Sequence, residues 1–331
     1  MTFHIGPYQL NNRLVLAPMA GVTDRPFRTL CRALGAGMTV SEMVSSKPEL
    51  RHTRKSLLRL DHTGEPEPVI VQIAGGDPAM MADAARYNVD RGAQIIDINM
   101  GCPAKKVCKL DAGSSLMKNE IRVAAILEAV VKSVNVPVTL KTRTGWSDEH
   151  RNVHRIGAIA QNCGIQALTV HGRTREQKYF GSAEYDTIQS LKQQLSIPLI
   201  ANGDIDSAKK AKMVMDFTAA DAIMIGRAAQ NRPWIFRQIQ TFLDTGQETE
   251  EPDLITRKTW LAGHLDNLYE FYGEQQGLRI ARKHIIWQLE SESLFRLFRP
   301  ALMSADSVVK QKGLIEQFFH QLQNDQFDRA C

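Results

Sequence analysis

The chain has 331 residues, 43% of them hydrophobic and 23% charged, with a formal net charge of +5. That is ordinary globular composition, with apolar material for one large core and a second, smaller one. No apolar run approaches the roughly 18 residues that a bilayer span needs, and no basic stretch followed by an apolar run opens Met1-Thr2-Phe3-His4-Ile5-Gly6-Pro7, so a soluble, cytoplasmic protein with no membrane role is expected. The five cysteines, Cys31, Cys102, Cys108, Cys163 and Cys331, are odd in number and lack C-x-x-C spacing, which suggests neither a disulfide framework nor a structural metal. A charge of +5 does not by itself imply nucleic-acid binding, so local clustering must decide that question.

Short β-branched runs bounded by turn residues predict eight strands, at about 13–18, 38–42, 68–73, 94–99, 137–142, 167–171, 198–202 and 221–226. Between them, stretches such as 78–91 (Met81, Ala84, Ala85, Val89) and 120–133 (Ile121, Ala125, Ile126, Val130) repeat apolar residues at helical spacing. This rhythm predicts an α/β fold, a (β/α)8 TIM barrel. An open doubly wound sheet competes less well, because no G-x-G-x-x-G run follows the first strand.

Active sites of such barrels form at the carboxyl ends of the strands. In chain order those ends read Ala17-Pro18-Met19-Ala20-Gly21, Ser41-Glu42-Met43, Gln72, Asn99-Met100-Gly101-Cys102-Pro103, Lys141-Thr142-Arg143, His171-Gly172-Arg173, Asn202-Gly203-Asp204 and Gly226-Arg227. A single Asn or Gln at a strand end is usually a turn former, but polar residues converging from every strand define a candidate site. The last two loops are placed to cradle a phosphate, with Arg227 adding charge. The polar edge of a flavin ring would find partners in Gln72, Lys141 and the backbone at Met19 and Ala20. Lys141 follows the buried run Pro137-Val138-Thr139-Leu140, which places it inside the barrel mouth rather than on the surface. His171 could meet either the ring or the phosphate, or serve only structure.

Cys102 opens a polar loop running through Ala104-Lys105-Lys106-Val107 to Ser114-Ser115, of a size often used as a lid. Its thiol could donate a proton or, if ionised, act as a nucleophile, and Lys105 and Lys106 would favour the thiolate. Cys31 and Cys163 read as inert core cysteines.

Four runs, Ala17-Pro18-Met19-Ala20-Gly21-Val22-Thr23-Asp24, Asp97-Ile98-Asn99-Met100-Gly101-Cys102-Pro103, His171-Gly172-Arg173-Thr174 and Ala201-Asn202-Gly203-Asp204-Ile205, resemble the bacterial tRNA-dihydrouridine synthases. The likeness covers nearly the whole chain, and Ser41-Glu42-Met43 with Gly226-Arg227-Ala228-Ala229-Gln230 resembles the B-type branch. It implies FMN at the barrel mouth, NADPH as reductant, hydride transfer from flavin N5 to uracil C6, and protonation of C5 by a cysteine, the position of Cys102. It matches Pro18, Met19, Ala20, Gln72, Lys141, His171, Asn202, Gly203, Asp204, Gly226 and Arg227 to cofactor-binding positions, and Asn99 and Arg143 to groups near the uracil. The B-type likeness suggests the D-loop uridine at position 17. An acid must hold its proton until hydride arrives, so the loop lysines should not ionise Cys102 fully. Ala112-Gly113-Ser114-Ser115-Leu116-Met117 departs from the family pattern in being more polar, which bears on the lid.

Beyond about Thr245 the strand and helix rhythm stops, and residues 247–253 read as an acidic linker. Leu261, Leu265, Leu268 and Tyr272, then Leu278, Ala281, Ile285 and Leu289, recur at helical spacing, so residues 1–245 are expected to form the barrel and 246–331 a helical bundle resembling the family's tRNA-binding domain. Arg279, Arg282, Lys283, Arg296, Arg299, Lys310 and Lys312 crowd one half of the tail, a pattern suited to a phosphate backbone. Further basic clusters, Arg51, Arg54, Lys55 and Arg59, and Lys105, Lys106 and Lys109, flank the mouth. A stacked uridine could enter only by flipping out. No feature implies a protein partner, and a monomer is expected. The rival readings are a flavin-dependent dihydroorotate or dihydropyrimidine dehydrogenase acting on a free small molecule, and a tRNA-binding chaperone with a vestigial barrel.

Overall fold

The computed structural model describes residues 3–330, so Met1, Thr2 and Cys331 lie outside the described residues. Eight parallel staves form at Leu14–Leu16, Met38–Thr39 continued by Val44–Ser45, Ile70–Ala74, Ile95–Asn99, Val138–Arg143, Ala167–His171, Leu199–Asn202 and Ala222–Ile225. Each pairs in parallel with its successor, and Ala222–Ile225 returns to pair with Leu14–Leu16. The second stave is broken. Its first half pairs with Leu14–Leu16, Val40 bridges to Ile70, and its second half pairs with Ile70–Ala74, which closes the ring. Closure excludes the open sheet and gives the TIM barrel that the strand rhythm predicts.

The helices between staves start where a side chain can accept from free N–H groups of the first turn. Asp24 caps Arg25–Ala33, Asp77 caps Pro78–Val89, Asn119 caps Glu120–Ser133 and Ser207 caps Ala208–Thr218. Their apolar faces, such as Val123, Ile126, Leu127 and Val130, are fully buried. Each such side chain stabilises the fold by about 1.5–3 kcal/mol.

Inside the barrel, alternate residues of each stave face the axis, and their character changes along it. At the amino ends the lining is apolar: Val15, Ile70, Ile95, Ala167, Ile200 and Ala222 pack together. An antiparallel hairpin, Phe3–Ile5 with Tyr8–Leu10, joins the same cluster through Phe3, Ile5 and Leu10. Strand signals did not reveal this hairpin, because three-residue strands are too short to show a period. Further along the staves at 70–74, 95–99 and 138–143 the lining turns polar, with Gln72, Asp97 and Thr139 in one register and Asn99 and Lys141 in the next.

The chain divides into two compact units, Met1–Ala229 with Trp234–Gln247, and Gln230–Pro233 with Glu248–Cys331. The second unit contains the helices Leu254–Tyr272, Glu274–Leu289, Phe295–Ser304 and Val308–Ala330. Leu261, Leu265, Leu268, Ala281, Ile285 and Leu289 form its core with Phe295, Phe298, Leu302, Phe318 and others, as their helical spacing predicts. No helix among the described residues is long and apolar enough to cross a membrane.

Candidate active site

The polar layer of the barrel is a chain of hydrogen bonds that ends at Cys102. Thr139 Oγ1 donates to Asp97 Oδ1 at 2.6 Å, and Gln72 Nε2 donates to Asp97 Oδ2 at 2.7 Å. Gln72 Oε1 in turn accepts from Asn99 Nδ2 at 2.7 Å, and Asn99 Oδ1 accepts from the Cys102 N–H at 3.0 Å. A carboxylate at one end, which only accepts, and backbone N–H groups at the other, which only donate, orient both amides between them. Burial raises the Asp97 carboxyl above its ordinary range, while its bonds to Thr139 and Gln72 and the charge of Lys141 pull it back.

Across the mouth, Lys141 Nζ donates to Asn202 Oδ1 at 3.0 Å, and Asn202 Nδ2 donates to the Met224 carbonyl at 2.8 Å. Burial, with Arg143 close by, lowers the Lys141 ammonium to about 8, so it remains mostly charged at neutral pH. One hydrogen bond to Asn202 engages one of its three N–H groups. His171, 9% exposed, is held well below its ordinary value by burial and by Lys141, Arg143, Arg173 and Arg227, and is therefore neutral. Its Nε2 lies 3.4 Å from Arg173 Nη1, which can only donate, so the proton sits on Nδ1.

Arg173 is the organising cation of the far rim, although nothing in its sequence context sets it apart from the other strand-end residues. It is 1% exposed, binds both oxygens of Asp204 at 2.9 and 2.6 Å, and donates to the carbonyls of Phe180 and Gly181. Asp204 also accepts from the Ala183 N–H and from Arg227 Nη2, both at 2.8 Å. Its oxygens are thus engaged in placing two guanidinium groups. The half-exposed Tyr179 stands 5.0 Å from Arg227 and 5.8 Å from Arg143. Buried arginines beside a carboxylate were unreadable as a pair, because their partners lie far apart in sequence.

The two rim glycines differ in what they require. Gly203 has φ +130°, and a Cβ there would stand 2.6 Å from Ala183 Cβ, so the fold itself demands glycine. At Gly226 a Cβ would meet nothing nearer than Met19 Sδ at 3.7 Å, so protein crowding does not explain the residue. A Cβ there would make only ordinary contacts with Met19 and Ala17, and its absence lets a ligand approach the backbone closely. Pro18, Met19 and Ala20 range from half-buried to exposed, and Met19 closes a turn in which its N–H donates to Thr23 Oγ1 at 2.9 Å.

Arg143, 2% exposed, ties two loops to the end of its own strand: it donates to the carbonyls of Gly101 at 2.8 Å, Thr174 at 2.9 Å and Lys178 at 3.0 Å. Cys102 is half-buried, and burial raises its thiol, with Arg143 and Lys141 pulling it partly back. The thiol therefore stays protonated at neutral pH. Lys105 and Lys106 lie exposed on a one-turn helix, Lys105–Cys108. The polar stretch after it, with Gly113–Lys118 in a 3-10 turn, buries Ser114, Leu116 and Met117, and Ser114 Oγ donates to the Cys102 carbonyl at 2.9 Å. This serine holds the cysteine's peptide group.

Two of the four basic residues after the second stave serve the fold: Arg51 pairs with Asp83, and Arg59 with Glu42 at 2.9 Å. Among the described residues no group of three or more His, Cys, Asp or Glu could hold a metal ion.

A family model described as dihydrouridine synthase matches residues 15–324. The chain belongs to the dihydrouridine synthase family. Proteins called tRNA-dihydrouridine synthase B are similar to it from end to end: 57% identical over 318 residues in Xanthomonas axonopodis pv. citri, covering 96% of both chains, and 57% over 321 residues in Pseudomonas aeruginosa, covering 97% of both. The Escherichia coli K12 protein is 56% identical over 315 residues, covering 95% of this chain and 98% of its own. These names agree with the B-type resemblance. Among solved structures, histamine dehydrogenase from Rhizobium sp. 4-9 has a similar fold, with a TM-score of 0.54 at 13% identity, covering 80% of this chain and 50% of its own. The dihydrouridine synthase family is one of oxidoreductases that act on tRNA, so the chain is an enzyme of that class.

Proposed function

We propose that this chain is a cytoplasmic tRNA-dihydrouridine synthase that uses FMN and NADPH to reduce the C5–C6 double bond of a D-loop uridine, at position 17. The observation that carries the reading is the fixing of Cys102 at the barrel mouth of a dihydrouridine synthase, its N–H donating to Asn99 and its carbonyl accepting from Ser114.

The residues at the mouth fit FMN. Lys141 and the Nδ1–H of His171 offer donors to the polar edge of a flat ring, Arg227 adds charge for a phosphate, and Gly226 lets a ligand approach the backbone. Pro18, Met19, Ala20, Gln72, Asn202, Gly203 and Asp204 complete the binding set, with Gln72 1% exposed and Asp204 acting through its arginines. When bound, the reduced flavin supplies the hydride that goes to uracil C6. Cys102 supplies the proton to C5, and burial keeps that proton in place until it is needed. Asn99 and Arg143 line the uracil's place beside it, and Arg143 also fixes the Gly101 carbonyl next to the acid.

A free-pyrimidine dehydrogenase would share the barrel but has no use for the exposed Arg279, Arg296 and Arg299 of the helical unit, 246–331. Those residues suit a phosphate backbone, and the protein is expected to act on tRNA as a monomer. The test is to extract and identify the flavin, reduce the holoenzyme with NADPH or NADH, and follow reoxidation by unmodified tRNA, free uridine and orotate. Fast reoxidation by tRNA alone, with dihydrouridine mapped to position 17, is the expected result. Reoxidation by orotate or uridine alone would overturn it in favour of the dehydrogenase.

A further inference from the structure

Cys108 has no part in the chemistry assigned to the mouth, yet the fold brings it to the catalytic cysteine. Its Sγ lies 3.6 Å from the carbonyl oxygen of Cys102 and 3.5 Å from Ser114 Oγ, which donates to that same carbonyl. The returning chain presses the turn inward. At Gly113, φ +62°, a Cβ would stand 3.2 Å from Cys102 Cβ and 3.0 Å from Val107 Cγ1, so no side chain separates the Val107–Cys108 turn from Cys102 on that side. The turn that carries Cys108 is lightly held: the helix Lys105–Cys108 has four residues, no side-chain cap, and exposed neighbours at Lys105, Lys106, Lys109 and Leu110.

We propose that Cys102 and Cys108 form a reversible thiol-modification site that takes hydrogen peroxide and closes to an intraloop disulfide. The loss of activity that follows rests on the reading of Cys102 as the acid; the disulfide itself does not. In the first step the small ionised fraction of one thiol attacks the peroxide, an S–O bond forms, the O–O bond breaks and the departing hydroxide takes up the thiol's proton as water, so that sulfur is oxidised to a sulfenic acid while the peroxide is reduced. In the second, the other thiol attacks that sulfur, an S–S bond forms, the S–O bond breaks and water leaves with the thiol proton. The sum is two thiols and one hydrogen peroxide giving one disulfide and two waters. A disulfide needs Cβ atoms about 3.5–4.5 Å apart, and the uncapped turn is the element that moves to reach this. With its sulfur bonded, Cys102 has no proton to give. A dithiol reductant restores both thiols by exchange.

The test treats the holoenzyme with hydrogen peroxide, blocks free thiols with iodoacetamide, and maps peptides by mass spectrometry beside an assay of dihydrouridine formation. The expected result is a cross-linked Cys102–Cys108 peptide, lighter by two hydrogens, with activity lost by about 10²-fold and regained with dithiothreitol. Cys108→Ser keeps a hydroxyl for the Cys102 carbonyl, so it should start at wild-type activity, yield no cross-link, and, once excess peroxide has carried Cys102 past the sulfenic to the sulfinic acid, fail to recover with dithiothreitol. Both cysteines recovered alkylated, or Cys102 oxidised alone with no cross-link in the wild type, overturns the site. A cross-linked enzyme of undiminished activity would leave the site standing and instead overturn Cys102 as the acid.

Discussion

The barrel and the helical unit use their arginines in opposite ways. In the barrel Arg28, Arg143 and Arg173 are buried, each bound to carboxylates or carbonyls of loops distant in sequence. In the helical unit Arg279, Arg296 and Arg299 are exposed, and none has an acidic partner among the described residues. A buried guanidinium is fixed in place by the cost of leaving it unpaired, so the barrel's cations hold loops and shape a rigid mouth. An exposed cation costs the fold little and remains available to another molecule. The first arrangement suits chemistry on a small ring, the second a long polyanion.

Substitutions can separate the two roles. The largest effect is expected at Cys102: Cys102→Ala should slow dihydrouridine formation by about 10²–10⁴-fold while the purified protein keeps its flavin, as measured by single turnover and absorbance. Loss of flavin instead would make the cysteine structural. Next comes Arg173→Ala, which leaves Asp204 without its bidentate partner and the loop carbonyls at 180–181 without a donor. It should cost about 3–5 kcal/mol of barrel stability in urea denaturation, and an unchanged midpoint would contradict the organising role. A pH titration follows. His284, fully buried in the helical unit, is held well below its ordinary value of 6.5 by burial, with His264 and Lys283 adding to this. The unfolded chain then binds a proton that the folded unit refuses, so its stability falls as pH drops below about 6.5. His284→Phe should flatten that dependence. The smallest effect on folding is expected at the exposed arginines: Arg296→Ala or Arg299→Ala should leave stability within about 0.5 kcal/mol and lower the salt slope of tRNA binding by about one each.

The eight staves were legible because buried parallel strands are continuous β-branched runs between turn residues. The second stave was the least legible. Expected at 38–42, it breaks after Thr39, where Ser41 Oγ turns to accept the Gln72 N–H and Glu42 accepts the Gly21 N–H. The helical tail was readable from its spacing alone, including the core positions Leu265 and Ile285. The candidate residues at the strand ends were legible as a set, since the barrel sends every carboxyl end to one rim. Their partners were not: nothing local ties Asp97 to Thr139, Arg173 to Asp204, or Ser114 to the Cys102 carbonyl. For the same reason a polar stretch read as lid material buries Ser114, Leu116 and Met117, and Arg51 and Arg59, read as part of a basic flank, bind acids of the barrel.

The most direct test is a single-turnover titration of the pre-reduced holoenzyme with unmodified tRNA, comparing wild type, Cys102→Ala and the Arg296→Ala/Arg299→Ala double variant. The expected result is a clean division: Cys102→Ala lowers the rate at saturating tRNA and leaves the half-saturating concentration alone, and the arginine variant does the reverse. A saturating rate unchanged in Cys102→Ala, or a tRNA affinity unchanged in the arginine variant, would contradict the division of chemistry and binding between the two units.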